Sequence, residues 1–273
     1  MRTTGVITRS EALAPHDHVA WVYVRPDAFV AAARAFLREG VRRGERIGYV
    51  GGVGTDAMEA ELRRLAEEER ASAFVEDLGA MYQGGTPNAE RQVAFYGEAT
   101  RDALRDGHTG LRVAADCTLL VSDEVGAQAF ARYEHLIDRE MVTLPFTATC
   151  GFDRSVLGER VARLACLHPA TNLEGSSFGV YACGRHRLGL WGDIDAGNEV
   201  ELDLALERAG WPALLPADID ATGTGYLDHH ALSVLQRRLV DADATTRLRT
   251  RQEIVRRLVR LLGHDRIEVE VVR

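Results

Sequence analysis

From His18 to His168 short apolar runs alternate with longer amphipathic ones, and this rhythm limits the fold more than any other feature of the sequence. HVAWVYV reads as a strand. Pro26 suits a first helical turn, and Phe29, Ala33, Phe36, Leu37 and Val41 then recur at helical spacing up to Gly44. RIGYVGG is the next strand and TDAMEAELRRLAEEER the next helix. AFVEDLGAMY then reads as a strand, NAERQVAFYGEATRDALRDG as a helix, and LRVAADCTLL as a strand. DEVGAQAFARYEHLIDREM is helical, FTATCGFD a strand, and SVLGERVARLACLH closes the series as a helix. Five strand–helix units in succession predict a doubly wound, mainly parallel sheet covered on both faces. Ligands of such sheets sit beyond the carboxyl ends of the strands.

NLEGSSFG, residues 172–179, is a polar, glycine-containing break and the candidate linker between domains 1–174 and 175–273. Beyond it the rhythm changes. FGVYACGRHRLGLWGDID predicts two short strands meeting at Gly184, and Asn198 to Ala209 a helix, with Asn198 and Glu201 spaced as a capping box. ALLPADIDA reads as a strand, HHALSVLQRRLV as a helix, TTRLRT as a weakly marked strand and QEIVRRLVRLLG as a final amphipathic helix. A small mixed-sheet α/β domain is expected.

Composition removes several chemistries. All 33 basic residues are arginine, so no Schiff-base lysine, lysine base or P-loop lysine exists. GGVGTDAM, residues 51–58, sits where a phosphate loop would lie, but its glycines match neither phosphate-loop pattern. A net charge of -8 argues against direct nucleic-acid binding. Nine arginines against four acids between Arg237 and Arg266 reverse that balance locally, as a solvated helix face or a docking surface would. The four cysteines Cys117, Cys150, Cys166 and Cys183 form no CxxC pair, which predicts buried thiols. No run of about 18 apolar residues occurs and no signal-peptide stretch opens the chain, so a cytoplasmic location is expected and no membrane partner.

Polar groups gather at the predicted strand ends. His18 begins the first strand, Arg112 and Asp116 lie on the fourth, and Cys150 and Asp153 on the fifth. Tyr133 and Glu134 are on the helix between the last two, and His168 follows the closing helix. Arg112 and Asp116, four residues apart, share one strand face. A buried ion pair holding helix to sheet explains them as well as a ligand does. Near the other end, Asp228-His229-His230 has the look of a metal triplet, with Asp193 and Asp195 as a nearby DxD.

HVAWVYVRPDAFVAAARAFLREGVRRGERIGYV resembles the opening of the MEDS domain, a sensory module of methanogens and methylotrophs, and GHTGLRVAADCTLL, ARYEHLID, FTATCGFDRSVLG and LACLHPATN continue the likeness over about residues 16 to 172. The resemblance implies a ligand-sensing domain for small molecules and not an enzyme. It matches His18, Arg112, Tyr133, Glu134, Cys150 and His168 to the family's recurrent polar positions, as candidate ligand contacts. Residues 177–273 resemble a STAS domain, the fold of anti-sigma factor antagonists. LGLWGDIDAGNEVELDLAL is similar to that family's strand, turn and first helix, and ADIDATGTGYLDHHALSVL to its central strand, loop and second helix. This likeness implies a protein partner, an anti-sigma factor or an ATPase-type kinase, meeting Asp193, Asp195, Asp228, His229 and His230. His229 stands where phosphorylatable members carry serine. The resemblances leave the cofactor unknown and a homodimer open. Two competing readings are a metal-dependent hydrolase using Asp193, Asp195, Asp228, His229 and His230, and a redox or metal sensor using Cys117, Cys150, Cys166 and the histidines.

Overall fold

The computed structural model describes residues 2–51, 55–69, 73–76, 88–184, 186–212 and 218–273. Expectations for 52–54, for the 77–82 part of the third predicted strand and for 213–217 lie outside them. The N-terminal half contains β1 (Gly5–Ile7), β2 (His18–Tyr23), α1 (Pro26–Arg42), β3 (Arg46–Val50), α2 (Thr55–Glu69), β4 (Ala73–Glu76) and α3 (Ala89–Arg105). It continues through β5 (Leu111–Asp116), α4 (Glu124–Met141), β6 (Phe146–Asp153), the short helices α5 (Arg154–Leu157) and α6 (Val161–Ala165), and β7 (Ala170–Asn172). The strands form one seven-stranded sheet in the order β1-β7-β2-β6-β5-β3-β4, parallel at every pairing.

Both faces of the sheet are buried. Phe29, Phe36 and Leu37 of α1 and Met58, Leu62 and Leu65 of α2 cover one face; α3, α4 and α6 cover the other through Tyr96, Phe130, Ile137 and Leu164. Strand parity assigns each side chain. His18, Ala20 and Val22 of β2, and Ala148, Cys150 and Phe152 of β6, join the α4 side, while Val19 and Tyr23 join the α1 side. Pro26 occupies the first turn of α1, and Gly44, at φ 74°, turns the chain out after it.

The last unit departs from its expected form. Instead of one helix after β6, the chain makes α5, a 3₁₀ turn starting at Gly158 (φ 58°), and α6. This break lets residues 166–172 turn back and lay β7 between β1 and β2. Neither β1 nor β7 is legible in the hydrophobic rhythm.

Beyond β7 a separate five-stranded mixed sheet forms, in the order β12-β11-β10-β9-β8. Its elements are β8 (Phe178–Gly184), β9 (Arg187–Ile194), α7 (Glu199–Arg208), β10 (Asp218–Leu227), α8 (His229–Asp241), β11 (Thr246–Thr250), α9 (Glu253–Leu261) and β12 (Ile267–Val271). β8 and β9 are the expected antiparallel pair, and the other pairings are parallel. β12 was not anticipated. The predicted capping box at Asn198 does not form. The Asn198 amide instead accepts from Asp195 N–H at 3.0 Å and donates to the Asp193 carbonyl at 2.8 Å, tying the turn before α7 to itself.

The two sheets share a seam. Ala131 of α4, Cys166 and Leu167 pack into the core of the second sheet beside Phe178, Leu206 and Trp211. β8 is held edge-on to the N-terminal half. Val180 N–H donates to the Cys166 carbonyl at 2.7 Å, Ala182 N–H to Asp138 Oδ2 at 2.7 Å, and Arg2 Nη1 to the Ala182 carbonyl at 2.9 Å.

Candidate functional site: a buried His–Glu–His–Cys cluster beside an apolar cavity

The cluster forms where β2, β6, α4 and the turn after α6 meet. β2 and β6 pair in register, His18 opposite Ala148 and Ala20 opposite Cys150, so the imidazole and the thiol rise from neighbouring strands on one face. α4 crosses that face. Its length follows from the Asp123 cap, which accepts from Gly126 N–H, and from its apolar stripe of Ala127, Phe130, Ala131 and Ile137. Glu134 and Asp138, one helical turn apart, both point into the sheet. His168 is delivered from the other side by the turn that Gly158 makes possible.

All the key groups are buried. Glu134 Oε2 lies 3.1 Å from His18 Nε2 and 3.3 Å from His168 Nε2. Cys150 Sγ is 3.5 Å from His18 Nε2 and 3.7 Å from Glu134 Oε1. The outer imidazole nitrogens are engaged as well: His18 Nδ1 is 3.2 Å from Asp138 Oδ1, and His168 Nδ1 is 3.1 Å from the Leu164 carbonyl. Asp138 is paired with Arg2. Burial alone would lower the His18 pKa, but Glu134, Asp138 and Cys150 outweigh it and hold the pKa well above the usual value. Burial and His18 push His168 down, yet Glu134 and Cys150 carry it up to about 9. Glu134, whose burial works the other way, is drawn down to about 2 by the two imidazoles. The Cys150 thiol is held well above its ordinary pKa by its contact with Cys117 and by burial.

His18, Glu134 and Cys150 form the polar end of a cavity between the sheet and helices α3 and α4. Its other walls are apolar, with Tyr96, Phe130 and Ile137 on the helix side and Val113 and Ala148 on the sheet side. The space open to a water-sized sphere within it is about 20 Å³. One water requires about 10–15 Å³ on that measure, so the space as it stands holds one or two water-sized groups, and a larger ligand must spread its walls. Tyr133 lines the same cavity.

Of the six sequence-derived contacts, His18, Tyr133, Glu134, Cys150 and His168 are brought together. Arg112 is not. It lies on the opposite face of the sheet, where its guanidinium pairs with buried Glu45, donates to the Leu13 carbonyl at 3.0 Å and rests 4.4 Å from the centre of the Phe36 ring. The strand parity of Arg112 and Asp116 holds, but both are structural. Asp116 accepts from Thr118 and from Tyr23, and Asp153 caps α5. Asp138 and Arg2 were missed. The four-residue spacing from Glu134 could have revealed Asp138; Arg2 sits 136 residues away and carries no such signal.

In the second sheet Asp228 caps α8, accepting from Ala231 N–H at 3.0 Å. His229 is exposed, and His230 Nδ1 lies 3.4 Å from Glu199 Oε2. Asp193 and Asp195 stand at the turn between β9 and α7, where Asp195 accepts from Gly197 N–H. Cys117, Cys150 and Cys166 are buried as expected. Among the described residues no helix is long and apolar enough to cross a membrane.

No curated protein matches the chain, and no match to the STAS family accompanies the second sheet. Residues 17–169 match the family model described as the methanogen/methylotroph, DcmR sensory domain, or MEDS. That span holds His18, Glu134, Cys150, His168 and the whole cavity lining. It exceeds half of the 273 residues, and the chain belongs to the MEDS family of sensory domains.

Proposed function

We propose that the protein is a non-enzymatic sensor in which a small, largely apolar molecule bearing one polar group occupies the cavity, and the second sheet passes the event to a protein partner. One observation carries this reading. One contact joins the polar end of the cavity to the docking of β8: Glu134 and His18 line the cavity, and Asp138, in contact with His18, holds the Ala182 backbone. A ligand that changes the His18–Asp138 contact therefore acts directly on the seam. Such a ligand shifts the seam only as far as it binds its two arrangements differently.

The partner is an anti-sigma factor or an ATPase-type kinase, by the resemblance of residues 177–273 to STAS domains. The exposed His229 beside the α8 cap, with the Asp193–Asp195 turn, offers the docking surface. Control comes from the N-terminal half, since histidine replaces the serine that such kinases modify.

The test is a thermal-shift panel of small alcohols, amines, halocarbons and short carboxylic acids on the full chain, repeated with Ala148→Leu. Ligands that bind only the folded state raise its melting temperature. The expected result is a concentration-dependent rise that disappears when leucine fills the cavity. No rise across the panel, or a rise indifferent to Ala148→Leu, overturns the reading.

A further inference from the structure

The buried cluster has an arrangement of lone pairs that the sensory reading does not use. A carboxylate and a peptide carbonyl can only accept hydrogen bonds. His18 Nδ1 faces Asp138 Oδ1 and His168 Nδ1 faces the Leu164 carbonyl, so both Nδ1 atoms carry a proton. Without a metal a proton on each Nε2 faces Glu134 Oε2; once those protons leave, each imidazole presents a bare Nε2 lone pair beside the carboxylate. The contacts have hydrogen-bond lengths, yet neither Glu134 Oε2 nor His168 Nε2 has a well-directed hydrogen bond, although both are fully buried. The buried carboxylate needs positive charge between it and the imidazoles, which protons supply in the metal-free state and a metal ion can supply in their place.

We propose that His18 Nε2, Glu134, Cys150 Sγ and His168 Nε2 form a four-ligand site for a divalent transition-metal ion of the zinc type. One ligand atom from each of the four lies within 4.8 Å of all the others. Tetrahedral zinc with bonds of about 2.0–2.1 Å to N or O and 2.3 Å to S has N···O edges near about 3.3 Å and edges to sulfur near about 3.6 Å. The observed separations are 3.1 and 3.3 Å from the two Nε2 atoms to Glu134 Oε2 and 3.5 Å from His18 Nε2 to sulfur, while the sulfur lies 3.7 Å from the other carboxylate oxygen, Oε1. The outer contacts fit as well, because metal-bound histidines donate their second N–H to a carboxylate or a carbonyl, as Asp138 and Leu164 provide here. Two neutral imidazoles, a carboxylate and a thiolate balance a divalent ion. Binding releases the Cys150 proton, and any proton held between the imidazoles and Glu134, to solvent. Four protein ligands close the site, so the ion fastens β2, β6, α4 and the segment leading to β7 and does no chemistry of its own. The inference goes beyond the sensory reading and does not depend on its ligand.

Full-length protein is produced in minimal medium with Co²⁺ as the only added transition metal of this class, then gel-filtered. The expected result is one cobalt per chain by mass spectrometry, with intense visible bands of a tetrahedral site and a near-ultraviolet thiolate-to-cobalt band. Cys150→Ser should abolish the thiolate band and lower cobalt affinity by at least about tenfold, the lower end of what loss of an outer-shell partner alone costs. His229→Ala with His230→Ala, which disrupts the surface triplet, should leave both unchanged. X-ray absorption on the wild-type protein gives a readout that needs no variant: one sulfur and three nitrogen or oxygen neighbours. Protein without cobalt, cobalt without a sulfur neighbour, or cobalt lost only in the surface variant overturns the proposal. Thermal shifts with the small-molecule panel, measured on cobalt-free and cobalt-loaded protein, separate the two readings. Ligand response without cobalt binding overturns the metal site and leaves sensing standing. Cobalt binding without ligand response supports the metal site and counts against sensing.

Discussion

Removing the negative partner of Arg112 should be among the most damaging single changes in the N-terminal half, and removing both partners should cost less than removing either. Arg112 and Glu45 have fully buried side chains and face each other across the α1 side of the sheet. Glu45→Gln leaves a guanidinium in the core without its counter-charge, which costs about 3–5 kcal/mol. The Leu13 carbonyl and the Phe36 ring still receive the guanidinium, so the low end of that range is expected. For a chain of this size each kcal/mol moves the melting point by about 2–4 °C, so the midpoint should fall by roughly 6–12 °C. Arg112→Met strands the carboxylate instead and should cost a similar amount. In the double variant Arg112→Met with Glu45→Leu no charge remains, and the main loss is the partner of the Leu13 carbonyl, about 1–3 kcal/mol. The double should therefore be clearly more stable than either single, with melting followed by circular dichroism. Additive losses would refute the account of a self-contained pair. A loss of cavity ligand binding in the double would refute the assignment of Arg112 to the far side of the sheet.

Three further outcomes follow from the structure. Asp228→Ala should cost about 1 kcal/mol in urea unfolding by removing the α8 cap, whereas Asp228→Ser should cost only a few tenths; equal losses would remove the cap from the explanation. Incubation with candidate partner kinases and ATP should leave Ser233 and His229 without phosphate by mass spectrometry, since Ser233 Oγ is turned back onto the His229 carbonyl at 2.8 Å, and stoichiometric phosphate on either would contradict this. Alkylation of the folded protein should reach Cys183 before Cys117, Cys150 or Cys166, and slowly even there, because burial and nearby acids push the Cys183 thiol up to about 12; rapid labelling of Cys150 would show that the cluster opens to solvent.

The sequence disclosed most where periodicity and burial agree. The strand–helix rhythm up to β6 and the β8–β9 pair could be read because their apolar residues recur at helix or strand period. β1 and β7 are three residues long and sit at or next to a sheet edge, too short for any period to register. β12 alternates charge with apolar residues and carries no turn signal after it. At the site, parity correctly placed Arg112 and Asp116 on one face. It could not say which face of a sheet covered on both sides would hold them, and Arg112 was misplaced for that reason. His168 belongs to the site only because the chain turns at Gly158, and a conformation of one glycine is not written in residue spacing.

The docking of β8 also bears on how the edges of the second sheet are guarded. An edge strand with unpaired N–H and C=O groups is a template for strand addition by another molecule. Here the outer edge of β8 is already occupied, with Val180 and Ala182 bonded to Cys166, Asp138 and Arg2. The opposite edge, β12, exposes Glu268 and Glu270, whose charges repel a second copy of the same strand. The N-terminal half thus covers the β8 edge of its neighbour. The isolated second sheet, lacking that shield, would present β8 to others of its kind and associate through it.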